Sequence, residues 1–353
     1  MNINFDDFLW DRLRRAKKPI VMYGMGNGAD KILGVAERFD VEIRDFFASD
    51  GFVRGHLFHG KRVLSYSEAR EKYGEMIVLV SFASSLPDVM ANIYGIEKEC
   101  ELYAPDVPVF GGELFDVGFV KKNVGELERV FSLIADEESK KIYENVINYK
   151  LSGRIRYLRA AESDEAEVNA LTGAVNFTSY ADLGAYTGDT VKKMIDLAPN
   201  MKKVVALEPD ERSFRKLCAY AETETRCEIK ALKLGAWSER GTLAFDASGN
   251  RNASIGEGKK TKSVEVDSLD DILAGESVDY IKYDVEGSEK EALVGSRKTI
   301  ERFAPTLLVS LYHRSGDVFS LPLLVRELCP EYKLYIRRFP YIPAWDLNLY
   351  AIK

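Results

Sequence analysis

Histidine and cysteine are scarce in this chain, with three of the former and four of the latter among 353 residues. Cys100, Cys218, Cys227 and Cys329 stand too far apart for a disulfide frame or a metal knuckle, so a disulfide-stapled secreted fold is excluded and a reducing, cytoplasmic setting is expected. Long hydrophobic runs are missing as well. No apolar stretch approaches the length a bilayer-crossing helix needs, and Met1-Asn2-Ile3-Asn4-Phe5-Asp6-Asp7 lacks the basic start and apolar core of an export signal. The expectation is a soluble protein with no membrane partner. Positive charge is not in excess either: 49 Lys and Arg face 56 Asp and Glu, a net charge of -7. A nucleic-acid backbone calls for a dense positive face, so this balance argues against nucleic acid as a partner.

What is present is an ordinary globular composition, 46% hydrophobic and 30% charged, on a chain longer than one core usually organises. Two domains are expected. In residues 1–116, an amphipathic stretch from Phe5 to Lys17 precedes the apolar run Ile20-Val21-Met22-Tyr23, a glycine turn and a second helix through about Phe39. Further apolar runs at Val41 to Phe47 and Met76 to Phe82 give strands of the kind buried in parallel sheets, hence a small doubly wound, Rossmann-like α/β domain. Residues 117–177 read as a helical connector. From 178 to 353 strands and helices alternate again, with strands at Tyr180 to Leu183, Lys203 to Leu207, Glu228 to Leu234, Val278 to Tyr283 and Thr306 to Leu311. The last runs, Tyr332 to Ile336 and Leu347 to Ile352, are joined by a loop too short for a helix and should pair as an antiparallel hairpin. Five parallel strands closed by such a hairpin outline a class I methyltransferase domain that uses S-adenosylmethionine (SAM).

The residues that would hold the cofactor follow from this outline. Asp182-Leu183-Gly184-Ala185-Tyr186-Thr187-Gly188-Asp189-Thr190 lies where a buried strand passes into a helix, so its glycines allow a tight turn. The helix start offers free N–H groups to a carboxylate such as that of a methionine moiety. Glu208, at the end of the next strand, is placed to accept both hydroxyls of a ribose. Any Rossmann-like turn needs small residues, so the loop gains weight only from the acid and the terminal hairpin.

From about Asp136 to Lys353 the sequence resembles the FkbM family of methyltransferases. The resemblance is carried by the 182–190 loop, by Glu208-Pro209-Asp210, by Val266-Asp267-Ser268-Leu269-Asp270-Asp271 and by Asp279-Tyr280-Ile281-Lys282-Tyr283-Asp284-Val285-Glu286-Gly287-Ser288-Glu289. It implies SAM as cofactor and O-methylation of a sugar or related small-molecule hydroxyl. It also implies that Pro209 borders the cofactor and that Gly235 and Ala236 lie beside its adenine.

Methyl transfer from a sulfonium is an in-line displacement in which alignment supplies roughly 7 to 11 kcal/mol of the barrier, and a general base adds roughly 10² to 10⁴ in rate. Two places can offer that base. Lys282, Asp284 and Glu286 alternate along the end of the fourth strand and so share a face, where they meet either a ligand or one another as a buried ion pair. His313, at the end of the fifth strand, ordinarily titrates near neutral pH and is either a base or structural. Asp284, Glu286 and His313 offer too few oxygen donors for a hard cation, so no metal is expected. Asp246-Ala247-Ser248-Gly249-Asn250-Arg251-Asn252-Ala253-Ser254 suits a polyhydroxylated small-molecule or glycan acceptor, or is an ordinary turn.

In the first domain, Gly24-Met25-Gly26-Asn27-Gly28-Ala29 approaches a dinucleotide fingerprint with Asp50 after the second strand. Tyr94 and Lys98 match a Tyr-x-x-x-Lys pair, while His56 and His59 read as surface residues. Two rival readings therefore stand: an NAD(P)-dependent oxidoreductase, or a non-catalytic nucleotide or sugar-nucleotide binding module. Otherwise this domain shapes the acceptor pocket or makes a homodimer contact.

Overall fold

The computed structural model describes residues 1–53, 55–246 and 261–353. The chain divides into two compact units. One comprises Met1–Gly125, Lys140–Glu162 and Arg338–Asp346, and the other Glu126–Ser139, Ser163–Arg337 and Leu347–Lys353. The stretch 117–177 is thus shared between the units, and the loop that joins the last two strands is assigned to the first.

The first unit holds β1 (Ile20–Tyr23), β2 (Ile43–Ala48), the small antiparallel pair β3 (Leu57–Phe58) and β4 (Lys61–Arg62), then β5 (Leu64–Ser65), β6 (Ile77–Val80) and β7 (Glu101–Tyr103). Five of these form a parallel sheet in the order β5-β2-β1-β6-β7. β1 and β6 are buried along their whole length, as all-apolar central strands must be. The edge strands β5 and β7 are too short to leave a periodic signal. The stretch Phe5 to Lys17 breaks into a 3₁₀ turn, Phe5–Asp7, and a helix, Leu9–Arg15. The helix Asn27–Arg38 buries Ala29, Ile32, Val35 and Ala36, the face its spacing dictates.

The second unit contains β8 (Ser179–Leu183), β9 (Lys203–Leu207), β10 (Glu228–Leu232), β11 (Gly235–Ala236), β12 (Gly241–Asp246), β13 (Thr261–Asp267), β14 (Tyr280–Tyr283), β15 (Thr306–Ser310), β16 (Lys333–Arg338) and β17 (Leu347–Ile352). Seven build one sheet, β10-β9-β8-β14-β15-β17-β16, whose first five members run parallel, while β17 is antiparallel to β15. This is the class I methyltransferase architecture, five parallel strands followed by a returning pair. A separate sheet, β11-β13-β12, had no clear signature in the sequence. Val191 and Ile195, four residues apart on the helix Asp189–Leu197, are buried in one cluster with Phe177, Tyr180 and Tyr280. The rings of Phe177 and Tyr280 stack at 5.1 Å. Burying each such aromatic contributes roughly 1.5 to 3 kcal/mol. Buried Arg337 on β16 ties Asp136 and Glu167 together, with 2.8 Å to Asp136 Oδ2 and 2.9 Å to Glu167 Oε1, so flanking helical segments belong to this unit.

Gly184, just after β8, has φ +88°, and a Cβ there would stand 2.0 Å from the Asp284 carbonyl oxygen. The glycine is required by the neighbouring backbone before any ligand is considered. Gly184→Ala should therefore cost about 2 to 4 kcal/mol, combining overpacking with left-handed strain, and lower the melting temperature by about 5 to 15 °C. A thermal melt unchanged from wild type would refute this close approach.

Candidate functional site

At the carboxyl end of β8 the chain doubles back over β9. The Gly184 and Ala185 N–H groups both donate to the Leu207 carbonyl, at 3.0 and 2.9 Å. Tyr186 then takes a left-handed conformation, φ 49°, which aims its N–H at Glu208 Oε2, 2.8 Å away. Gly188 opens the helix Asp189–Leu197 with φ 87° and has no side chain to cap the first-turn N–H groups. Thr187 and Thr190 are half-buried, and Asp189 and Tyr186 are exposed.

Glu208 is buried, and its Oε1 accepts from the Asp210 N–H at 2.8 Å. Burial pushes its carboxyl up to about 7, against the pull of the Asp210 and Tyr186 N–H groups. Each carboxylate oxygen keeps a further lone pair, which is what a vicinal diol needs. Pro209 is half-buried between this carboxylate and Asp210, which caps the next helix through the Arg212 and Ser213 N–H groups. Gly235 and Ala236 are buried in β11, paired with Val266 and Asp267.

Asp182 is tied into the interior of the sheet. It is 0% exposed, accepts from the Thr190 hydroxyl and faces Lys282 Nζ at 3.2 Å, and by these contacts it holds the start of the loop. The cause lies in the register: Lys282 on β14 is paired directly with Asp182 on β8. Lys282 Nζ also lies 3.3 Å from Asp284 Oδ2, and these two carboxylates outweigh burial and raise the ammonium above its ordinary range.

The alternation read through Lys282, Asp284 and Glu286 does not continue as strand. β14 ends at Tyr283, Asp284 N–H still bonds the Leu183 carbonyl, and the chain then turns through Glu286 at φ 55° and Gly287 at φ 94°. The side chains nonetheless converge. His313 Nε2 lies 3.6 Å from Asp284 Oδ1 and 3.7 Å from Glu286 Oε2, and its Nδ1 lies 2.8 Å from Glu289 Oε1. Asp284 Oδ1 also accepts from the Tyr312 and Ser310 hydroxyls, at 2.8 and 3.0 Å.

Two cations, Lys282 and His313, thus stand among the carboxylates of Asp182, Asp284, Glu286, Glu289 and Asp317. Burial alone would lower His313, but Glu289, Asp284 and Glu286 outweigh it and push the imidazole up to about 9. That shift favours the protonated ring at neutral pH. Burial would raise Asp284, yet Lys282, His313 and the two hydroxyls bring it down to about 2. Glu286, with 36% of its side chain exposed, is pushed up to about 8, first by burial and then by its neighbouring carboxylates. Sequence reasoning gave no role to Glu289, Ser310, Tyr312 or Asp317. The signals were a third acid in Asp284-Val285-Glu286-Gly287-Ser288-Glu289 and the alternation of 310 and 312 at and just past the end of β15.

In the first unit a Cβ on Gly28 would come within 2.1 Å of the Ser81 carbonyl, and one on Gly24 within 2.6 Å of the Ser81 hydroxyl. Packing of β1 against the end of β6 accounts for these glycines. His56 and His59 are exposed. Tyr94 sits half-buried under the Arg159 guanidinium, and Lys98 is exposed. The 247–254 part of the polar loop lies outside the described residues. Among the described residues no helix is long and apolar enough to cross a membrane.

Residues 182–341 match the family model described as the methyltransferase FkbM domain, a span that takes in the loop, Glu208, the 282–289 turn and His313. Fold and domain together define a SAM-dependent methyltransferase, and the oxidoreductase alternative is not favoured. The C-terminal part of the chain thus carries an FkbM methyltransferase domain. The crystal structure of methyltransferase FkbM from Methylobacillus flagellatus shares the fold across 97% of this chain and 92% of its own, with a TM-score of 0.72 and 20% identity. Aeropyrum pernix fibrillarin with natively bound SAM overlaps 53% of this chain and 74% of its own at 15% identity and a TM-score of 0.35. An rRNA methylase from Streptococcus thermophilus overlaps 53% and 95% at 11% identity and a TM-score of 0.36. No curated protein matches the sequence.

The cluster makes stability depend on pH. His313 titrates at about 9 in the folded chain against an ordinary 6.5, so its contribution is full below 6.5 and is lost as pH rises through 9, amounting to about 3 kcal/mol. The raised Glu286 acts in the same direction, whereas the lowered Asp284 loses its contribution only in strong acid, as pH falls through 2. Urea denaturation should show stability falling from pH 6.5 to 9, by a smaller amount in His313→Gln. A flat wild-type profile across that window would contradict the assignment.

Proposed function

We propose that this methyltransferase acts on a hydroxyl of a sugar or another small molecule, with Glu286 as the group that takes the hydroxyl's proton. The carrying observation is Glu286 itself: a half-exposed carboxylate at the carboxyl edge of the sheet, pushed up to about 8 and held in a left-handed turn. An acid tuned toward neutral pH is suited to general base catalysis, and strained backbone at such a place is a recurrent mark of function. His313 stands behind it as a fixed positive charge and favours its ionised form.

SAM supplies an electrophilic methyl group on a sulfonium. The residues present fit it. Glu208 keeps lone pairs for the ribose hydroxyls, and the uncapped helix start after Gly188 offers N–H groups to the methionine carboxylate. Gly235 and Ala236, after β10, border the adenine in this reading. The surplus of carboxylates suits a cationic sulfonium and a neutral acceptor. The interior Asp182–Lys282 pair positions the loop.

The reading is tested by incubating the protein with labelled SAM and fractionated small-molecule and glycan extracts. The label is expected in a methyl ether; label on nitrogen or carbon would overturn O-methylation. In calorimetry, Glu208→Gln should weaken SAM binding by about tenfold to a hundredfold, the loss of charge-assisted hydrogen bonds worth roughly 1.5 to 3 kcal/mol. Equal affinity would remove Glu208 from the cofactor site. With the acceptor in hand, Glu286→Gln should slow transfer by roughly 10² to 10⁴ with SAM affinity preserved, and the wild-type rate should rise with pH through about 8. Undiminished transfer would exclude Glu286 as the base.

A further inference from the structure

Glu289 is absent from the chemistry above, yet it is almost completely enclosed beside it. It is 1% exposed, at the start of the helix Glu289–Val294, and three donors converge on its Oε1: the Val285 N–H at 2.9 Å, the Gly287 N–H at 3.4 Å and His313 Nδ1 at 2.8 Å. The two N–H groups flank Glu286, the residue with φ 55°. From the opposite side Arg314 Nε donates to the Gly287 carbonyl at 2.9 Å. A left-handed conformation at a glutamate costs roughly 1 to 3 kcal/mol and persists only where the surroundings over-determine it. Those surroundings are supplied here by one carboxylate and one guanidinium.

We propose that Glu289 is a positioning residue: it fixes the Val285–Gly287 turn through two backbone N–H groups and anchors His313, and by both contacts it presents the Glu286 carboxylate at the sheet edge. This rests on the reading of Glu286 as proton acceptor. His313 is faced by Glu289, Asp284, Glu286 and Asp317, and Glu286 by His313, Asp284, Glu289 and Glu208. A charge removed at 289 is therefore felt by both.

The test is an NMR titration of labelled histidine in the full chain, where buried His313 is told apart from exposed His56 and His59. In Glu289→Gln the amide oxygen still accepts from the turn, so the Val285 amide should stay protected from exchange while the His313 midpoint falls from about 9 toward 6.5. In Glu289→Ala the midpoint should fall likewise, the Val285 and Gly287 amides should exchange at least about tenfold faster, and label transfer to the acceptor fraction should drop by about a hundredfold. SAM affinity by calorimetry should stay within about twofold in both. A His313 midpoint that remains near 9 in Glu289→Gln overturns the proposal even where the alanine variant does not fold. So does undiminished transfer in a folded Glu289→Ala, or a loss of SAM affinity parallel to the loss of transfer. Full transfer in Glu286→Gln strikes the base reading instead and leaves the titration and exchange outcomes standing.

Discussion

A lysine and an aspartate face each other across two strands that are buried from end to end, and most of the site is a consequence of that encounter. Lys282 and Asp182 occupy paired positions on β14 and β8, at the centre of the seven-stranded sheet. Neither charge is tolerable alone in such a place, since an unpaired buried ion costs several kcal/mol. The ammonium also reaches Asp284, Asp284 reaches His313, and His313 reaches Glu286 and Glu289. A chain of ion pairs thus runs from the interior to the carboxyl edge of the sheet. Only its outer members, Asp284 and Glu286, retain appreciable exposure. The arrangement separates two tasks: the inner pair fixes backbone geometry, and the outer carboxylate remains adjustable by pH.

The same pairing brings the two strand ends into very close approach. The turn after β8 and the turn after β14 pass so near each other that only glycine fits at 184. On one side of this contact lies the loop leading to Glu208, and on the other the turn bearing Glu286, so the expected cofactor ribose and the expected proton acceptor are set by one piece of backbone packing. Glu208 contributes to raising Glu286, which puts the two carboxylates in electrostatic contact across the edge.

The architecture was legible in the sequence because parallel strands buried on both faces must be largely apolar runs, and β9 begins and ends where its run does, as does the returning antiparallel strand β17. The convergence of Lys282, Asp284, Glu286 and His313 was legible too, because strand ends in such a sheet point to one edge. What could not be read was the sign of each environment. His313 by composition is a group poised near neutrality; only the positions of Glu289, Asp284 and Glu286 around it make it a fixed cation. Asp182 by motif opens the glycine loop; only the register reveals its pairing with Lys282. The short strands β5, β7 and β11 carry two or three residues each, too few for any period to emerge.

The two glycine motifs sharpen this distinction. Gly24 and Gly28 in one unit, and Gly184 and Gly188 in the other, are all glycines whose missing Cβ is demanded by an adjacent backbone or side chain: Ser81 for the first pair, Asp284 and Tyr220 for the second. A glycine-rich strand-to-helix turn therefore reports close packing at the end of a parallel sheet, and by itself says nothing about a ligand. In the second unit, the features suited to a cofactor stand beside the turn. Glu208 is buried there with lone pairs to spare, a helix begins without a capping side chain, and the whole lies inside an FkbM methyltransferase domain. Where a turn is explained by packing alone, as at Gly24 and Gly28, its glycines give no reason to assign it chemistry.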